Sequence, residues 1–162
     1  MNTLENLRKE LDQEYEITKN FLALYPEDKE DYAPHEKSMK LKPLAVHIAE
    51  IVGWPDFMLK TEKLDFAADD YKPTEVSGKD QLLELFEKGY KGSKQTLAEI
   101  SEEDLENRWV MKNGEYVIAD FNKYEAMRHA LSQLTHHRAQ LGVYYRMNDI
   151  ALPASYGPSA DA

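Results

Sequence analysis

The stretch 120–148, DFNKYEAMRHALSQLTHHRAQLGVYYRMN, decides the fold class. Tyr124, Met127, Leu131, Leu134, Leu141 and Tyr145 recur at spacings of three, four or seven residues, the period of one helical face. The spacing predicts a helix from about Asp120 to Asn148. Working outward, three more stretches carry the same period. Leu4, Leu7, Leu11, Thr18 and Leu22 mark a helix from about Thr3, its expected cap, to Tyr25, where Pro26 ends it. Leu44, Ile48, Ile51 and Met58 mark a second that starts between Ser38 and Pro43, proline being suited to a first turn. Leu82, Phe86, Tyr90, Ser93, Leu97 and Ile100 mark a third, from Ser77 or Gly78 to about Ile100.

The connections are irregular. Gly53-Trp54-Pro55 should kink or break the second helix, because Pro55 cannot bond the carbonyl of Ile51. Thr61 to Ser77 reads as a mixed linker, and Ser101 as the cap of a short turn through Leu105. Asn113-Gly114 between Trp109-Val110-Met111 and Tyr116-Val117-Ile118 is a strong hairpin signal. Tyr156-Gly157-Pro158 makes the tail a turn. These elements describe a single all-α domain over 1–162, an up-down four-helix bundle with a small β-hairpin before the last helix.

Composition narrows the function classes. A net charge of −10 repels phosphate backbones and anionic lipid heads, so neither nucleic acid nor a membrane is expected as partner. With no cysteine, disulfides, thiolate metal sites and cysteine nucleophiles are excluded. No apolar run approaches the roughly 20 residues of a membrane span, and Met1 to Leu7 has no apolar signal core. The expectation is a soluble, cytoplasmic protein.

Four residues stand out for chemistry. His129, Gln133 and His137 lie four apart on the last helix and border its apolar stripe, with His136 and Arg138 on either side. His47 sits on the second helix, on the side that faces the core. Neutral imidazole is the commonest metal ligand, and bundles build metal sites from facing helices. His47 and His137 supply two ligands, and Gln133 a side-chain oxygen. His129 lies roughly 12 Å from His137 along the axis, so the two should serve different sites. Glu50 and Asp56 are candidate bases, although solvated positions suit them better. Trp54 and Tyr144 read as core or pocket wall. Two histidines on different helices more often pack or bond locally than bind metal, and spacing alone favours that reading. There is no phosphate loop, no G-x-S-x-G elbow and no H-E-x-x-H pair.

Several segments together resemble the DinB-like family, also called YfiT-like metal-dependent hydrolases. They are Tyr25-Pro26-Glu27-Asp28-Lys29, Tyr32-Ala33-Pro34-His35, Leu44-Ala45-Val46-His47-Ile48-Ala49-Glu50, Ser132-Gln133-Leu134-Thr135-His136-His137-Arg138-Ala139-Gln140-Leu141 and Leu152-Pro153-Ala154-Ser155-Tyr156-Gly157-Pro158-Ser159. The resemblance spans nearly the whole chain. It implies a DinB/YfiT-like bundle, a homodimer, and a divalent metal, nickel or zinc, held by three histidines. It also implies hydrolysis of, or transfer of a low-molecular-weight thiol to, a small molecule, with expression linked to stress or DNA damage. Residue by residue, His47 is the second-helix ligand and His137 the final one. The third family histidine falls on Gln133, a weaker donor for nitrogen-preferring ions. Glu50 is the proton acceptor in this reading. The alternative is a catalytically inactive, metal-free homodimeric binding or stress-response module, in which His47, Gln133 and His137 form a hydrogen-bonded pocket lining.

Overall fold

The computed structural model describes residues 2–68, 72 and 74–161. Four long helices form where the apolar period demands them: α1 (Thr3–Leu22), α2 (Leu41–Ile51), α4 (Lys79–Glu99) and α5 (Lys123–Met147). A short α3 (Trp54–Lys60) follows α2 after a break at Val52-Gly53, with Pro55 in its first turn, where its missing N–H costs nothing. The cap of α1 is Asn2 rather than Thr3: its Oδ1 accepts the N–H of Glu5 at 2.9 Å, and Thr3 is already helical. A reciprocal capping box of Asn122 and Glu125 starts α5. That cap places its start later than Asp120, which belongs to a strand.

The strands differ from a simple hairpin. β2 (Arg108–Asn113) and β3 (Tyr116–Asn122) are antiparallel around the Asn113-Gly114 turn, with Gly114 at φ +60. A third strand, β1 (Lys63–Asp65), arises inside the expected linker and pairs parallel to β2, giving the order β1-β2-β3. The carboxylate of Asp65 fastens it there, accepting the N–H of Gly114 at 2.9 Å and of Ala67 at 3.1 Å. Those N–H bonds, the one from Gly114 first, together with the nearby Lys112 ammonium, hold this carboxyl below its ordinary pKa.

The helices make a four-helix bundle, with the sheet inserted before the last helix. α1 packs on α4 and α5, and α2 packs on the same two, so α1 and α2 stand diagonally across the bundle. At the α2–α4 crossing, backbone meets backbone: a methyl group on Gly89 would lie 3.0 Å from the nitrogen of Gly53. Every expected core residue of α1 and α2 is buried, as is Met58. Tyr124 is the exception on α5, 39% exposed at the helix start, where the sheet has replaced the expected first turn. A second apolar cluster joins Met58, Trp109, Met111, Ala126 and Ala130, and packs the sheet against α3 and α5.

Arg138 is buried, contrary to its reading as a flanking residue. Its guanidinium donates to Oε2 of Glu14 on α1 at 2.6 Å, to Oγ1 of Thr18 at 2.8 Å and to Oη of Tyr156 at 2.6 Å. Tyr156 donates in turn to Oε1 of Glu14 at 2.7 Å. The chain end is thus folded back over the α1–α5 seam. Among the described residues, no helix is long and apolar enough to cross a membrane.

Candidate functional site

α2 and α5 face each other, and this contact brings His47 to His137. Their rings meet edge to face with centroids 4.6 Å apart and an interplanar angle of 77°. Trp54, at the start of α3, closes on the other side of His47 at 5.5 Å. Burial pushes the pKa of both histidines down, and their neighbouring imidazoles push in the same direction, His137 on His47 and His136 on His137. Glu50 and the Gln140 hydrogen bond oppose these effects at His47 and His137 respectively. The rings are therefore held towards the neutral form, the state that can donate a lone pair to a metal.

His137 is also oriented. Its Nδ1 donates to Oε1 of Gln140 at 2.9 Å, and Nε2 of Gln140 donates to Nε2 of His136 at 3.1 Å. An amide oxygen only accepts, so with the amide in this orientation the proton of His137 sits on Nδ1 and Nε2 keeps its lone pair.

Beside the pair lies a cleft of about 810 Å³. His47, His129 and Gln133 face it together with Trp54, Met58 and Trp109. His129 was expected to serve a separate site, but it shares this cleft with His47 and Gln133. It packs against Phe121 of β3, at 5.5 Å between ring centroids, and burial pushes its pKa down as well. Helical geometry explains the arrangement: each four-residue step rotates by about 40°, so the row swings by about 80° between His129 and His137. His129 and Gln133 thereby open to the cleft while His137 turns behind His47.

Glu50, three residues after His47, holds the segment that follows the sheet's first strand. Its Oε1 accepts the N–H and the Oγ1–H of Thr74, each at 2.7 Å. Asp56 turns away from the cleft to α4, bonded to Thr96 and, at 2.6 Å, to Lys60. Tyr144 is a core residue whose hydroxyl donates to the carbonyl of Met39.

Two imidazoles held towards neutrality and one amide oxygen are donor types that suit a divalent ion of borderline softness. They fall short of the usual set, since no group of three His, Cys, Asp or Glu among the described residues is placed to hold an ion. The Gln133 side chain makes no hydrogen bond among the described residues and lines the cleft.

A helical bundle whose paired imidazoles come from two facing helices is the class of protein that builds its site inside the bundle. The chain belongs to the DinB family, whose model matches residues 1–160. Among solved structures, it is similar to a DinB-like protein, YjoA, from Bacillus subtilis, with 18% identity, TM-score 0.73 and coverage of 95% of this chain and 99% of the other. A DinB-like protein from Bacillus cereus follows at 16% identity and TM-score 0.69, covering 93% and 95%. YfiT from Bacillus subtilis, described as a probable metal-dependent hydrolase with an unusual four-helix bundle topology, is 11% identical with TM-score 0.65, covering 91% and 89%. At these identities the likeness is one of fold. No curated protein matches the sequence.

Proposed function

We propose that the chain is a divalent-metal-dependent enzyme, a hydrolase or a thiol-dependent transferase acting on a small molecule. In this reading, His47 and His137 are the imidazole ligands and Gln133 completes the set through its amide oxygen. The observation that carries the reading is the edge-to-face approach of His47 and His137 at 4.6 Å, with both rings held towards neutrality. A bound nickel or zinc ion supplies Lewis acidity, which makes a water or a low-molecular-weight thiol nucleophilic near neutral pH. The protein's own part is to orient His137 through Gln140, to shield the pair with Trp54, and to take up a proton at the carboxylate of Glu50, one turn from His47. Family membership supports a homodimer, which sedimentation at micromolar concentration tests.

The test is metal analysis of protein purified without an affinity tag, then titration with zinc and nickel. Micromolar binding that is lost in His137→Ala supports the reading. Binding no tighter than millimolar, unchanged by that substitution, sinks it.

Gln133 favours a second reading, a metal-free binding module of the same fold. Gln133→His discriminates between the two. A variant that binds metal tightly where the native chain binds none supports the module, and equal affinity in both chains rejects it.

A further inference from the structure

The cleft beside His47 offers a ligand no formal charge to pair with. Its volume, about 810 Å³, lies within the roughly 300–1,000 Å³ of small-molecule sites. Lys63 is the only charged residue among the described ones that line it, and the sheet turns that side chain away. β1 pairs with β2 so that Leu64 stands opposite Met111 and Lys63 opposite Val110. Successive side chains of a strand point to opposite faces. Leu64 therefore shares the cleft face with Trp109 and Met111, whereas Lys63 shares the other face with Arg108 and Lys112, and these three line a separate groove. An ionised group in the cleft would lose its water and find no counter-ion, which strongly disfavours it.

The cleft presents aromatic surface instead. Trp54 and Trp109 come from α3 and β2, and Phe57 meets Trp109 edge to face at 6.5 Å and 87°. Met58 and Met111 add two thioethers to the same wall, and sulfur packs favourably against the edge of an aromatic ring. The polar edge of Trp109 is satisfied, donating to Oγ1 of Thr61 at 3.1 Å, and the Thr61 hydroxyl donates in turn to the carbonyl of Phe57 at 2.8 Å. Walls of this kind exclude a sugar or a nucleotide, whose many polar groups would be buried without partners.

Three lining side chains keep hydrogen-bonding capacity: His47, Gln133 and His129. None makes a hydrogen bond among the described residues, where every fully buried side-chain nitrogen and oxygen has a partner, so their polar atoms remain accessible. In the proposed function His47 and Gln133 are committed to the ion, and His129 is not. It lies one turn before Gln133 on α5, its ring packed on Phe121 at 5.5 Å. Burial holds this imidazole towards its neutral form, which carries one donor and one acceptor and so meets a hydroxyl or a carbonyl equally.

We propose that the cleft binds an uncharged aromatic molecule, with its rings against Trp54, Trp109, Met58 and Met111 and one hydroxyl or carbonyl group on His129. His129 is the positioning residue for that ligand. The inference rests on the cleft being the working site of the protein, and it names the class of molecule the site accepts with or without an ion.

One ring system with four substituents tests it by calorimetric titration. 2-Naphthol is the uncharged hydroxyl probe, and 2-methylnaphthalene is its counterpart without the hydroxyl. Naphthalene-2-sulfonate and 2-naphthylmethylammonium carry a charge of either sign. The chain contains two tryptophans, and both line the cleft, so their indole N–H resonances report its occupancy. One 2-naphthol per chain should bind, with both resonances shifting together. The charged probes should bind at least about tenfold more weakly. His129→Phe should weaken 2-naphthol about threefold to tenfold, the loss of one hydrogen bond, and leave 2-methylnaphthalene unchanged. Phe57→Glu, an exposed lining position on α3, should weaken both neutral probes without loading the core.

Binding that is unsaturable, or indifferent to Phe57→Glu, overturns the proposal. A charged probe that binds as tightly as 2-naphthol overturns the choice of an uncharged ligand. An equal effect of His129→Phe on the two neutral probes overturns the role of His129. His137 is not among the described residues that line the cleft, so the titrations are repeated in His137→Ala. Naphthol binding that survives there, while the native chain binds no metal, rejects the metal reading alone. Metal binding by the native chain without naphthol binding rejects this inference alone.

Discussion

The imidazole of His137 donates through Nδ1 to Oε1 of Gln140, one turn further along α5, at 2.9 Å. Gln140 is exposed and contributes nothing to the core, so its consequence falls on the ring it holds. Hydrogen-bonding partners of metal-binding histidines fix the tautomer and the ring plane, and their loss typically costs about 10–100-fold in affinity. On the proposed metal-binding role of His137, Gln140→Ala should therefore weaken zinc or nickel binding by that factor and leave the thermal unfolding temperature unchanged. Calorimetric titration beside a melting curve separates the two effects.

The pair of Arg138 and Glu14 makes a second prediction, about stability. Both groups are buried, and their contact is 2.6 Å. Removing one partner leaves a charge without compensation in the interior, at a cost of about 3–5 kcal/mol. Glu14→Ala should lower the urea midpoint accordingly. The double substitution Glu14→Leu, Arg138→Met should recover most of the loss, since an apolar pair of similar volume is often as stable as a buried ion pair. No recovery would show that Thr18 and Tyr156, which share the network, depend on the charges.

Gly89→Ala tests the crossing of α2 and α4. Alanine improves helix propensity by about 1 kcal/mol. Its methyl group would stand 3.0 Å from backbone nitrogen and 3.2 Å from the Cα of Gly53. Backbone cannot swing aside as a side chain can, and overpacking of this kind costs about 1–3 kcal/mol. The net effect should be destabilising, and the shift of α2 should also disturb His47. Gly157→Ala, which meets nothing within 4 Å, is the control. An equal or higher melting temperature for Gly89→Ala would contradict the close approach.

The chain end carries a pH-dependent latch. Asp161 accepts from Arg146 at 2.6 Å and from the N–H of Leu152 at 2.9 Å. Its pKa is lowered from 3.8 to about 2, chiefly by the Arg146 guanidinium. A carboxyl depressed in the folded state stabilises fully above its unfolded pKa and loses that contribution as pH falls through the folded value. The latch should be intact above about pH 4 and should open as pH falls towards about 2. The amide resonance of Leu152 should titrate with that low midpoint, and Asp161→Asn should remove the transition.

The candidate site was legible only in part. His47, Gln133 and His137 were visible because a four-residue spacing and a core-facing histidine are local patterns. The structure then set His129 on the same cleft, through a helical rotation that distance along the axis does not reveal. It also supplied the apolar walls, several of which come from α3 and β1, segments with little individual signal, and from β2, whose hairpin signal does not say where the hairpin packs. Lys63-Leu64-Asp65 is too short to announce a strand, and pairing with β2 makes it one.

The helices themselves follow from sequence, because the apolar period is a local property of 3.6 residues per turn, and most of each buried stripe lies where that period places it, with Tyr90 and Ile100 half-buried and Tyr124 exposed. The caps moved by a residue or two where a better donor lay beside the expected one, as Asn2 does beside Thr3. What surrounds each stripe was settled only when distant parts of the chain met. Arg138 finds its carboxylate 124 residues earlier, at Glu14, and nothing near Arg138 in the sequence marks it as buried. The diagonal placement of α1 and α2 likewise depends on which faces of α4 and α5 remain available, a competition among all four helices. Helix formation is decided over a few turns of chain, whereas a cleft is decided by the backbones that frame it.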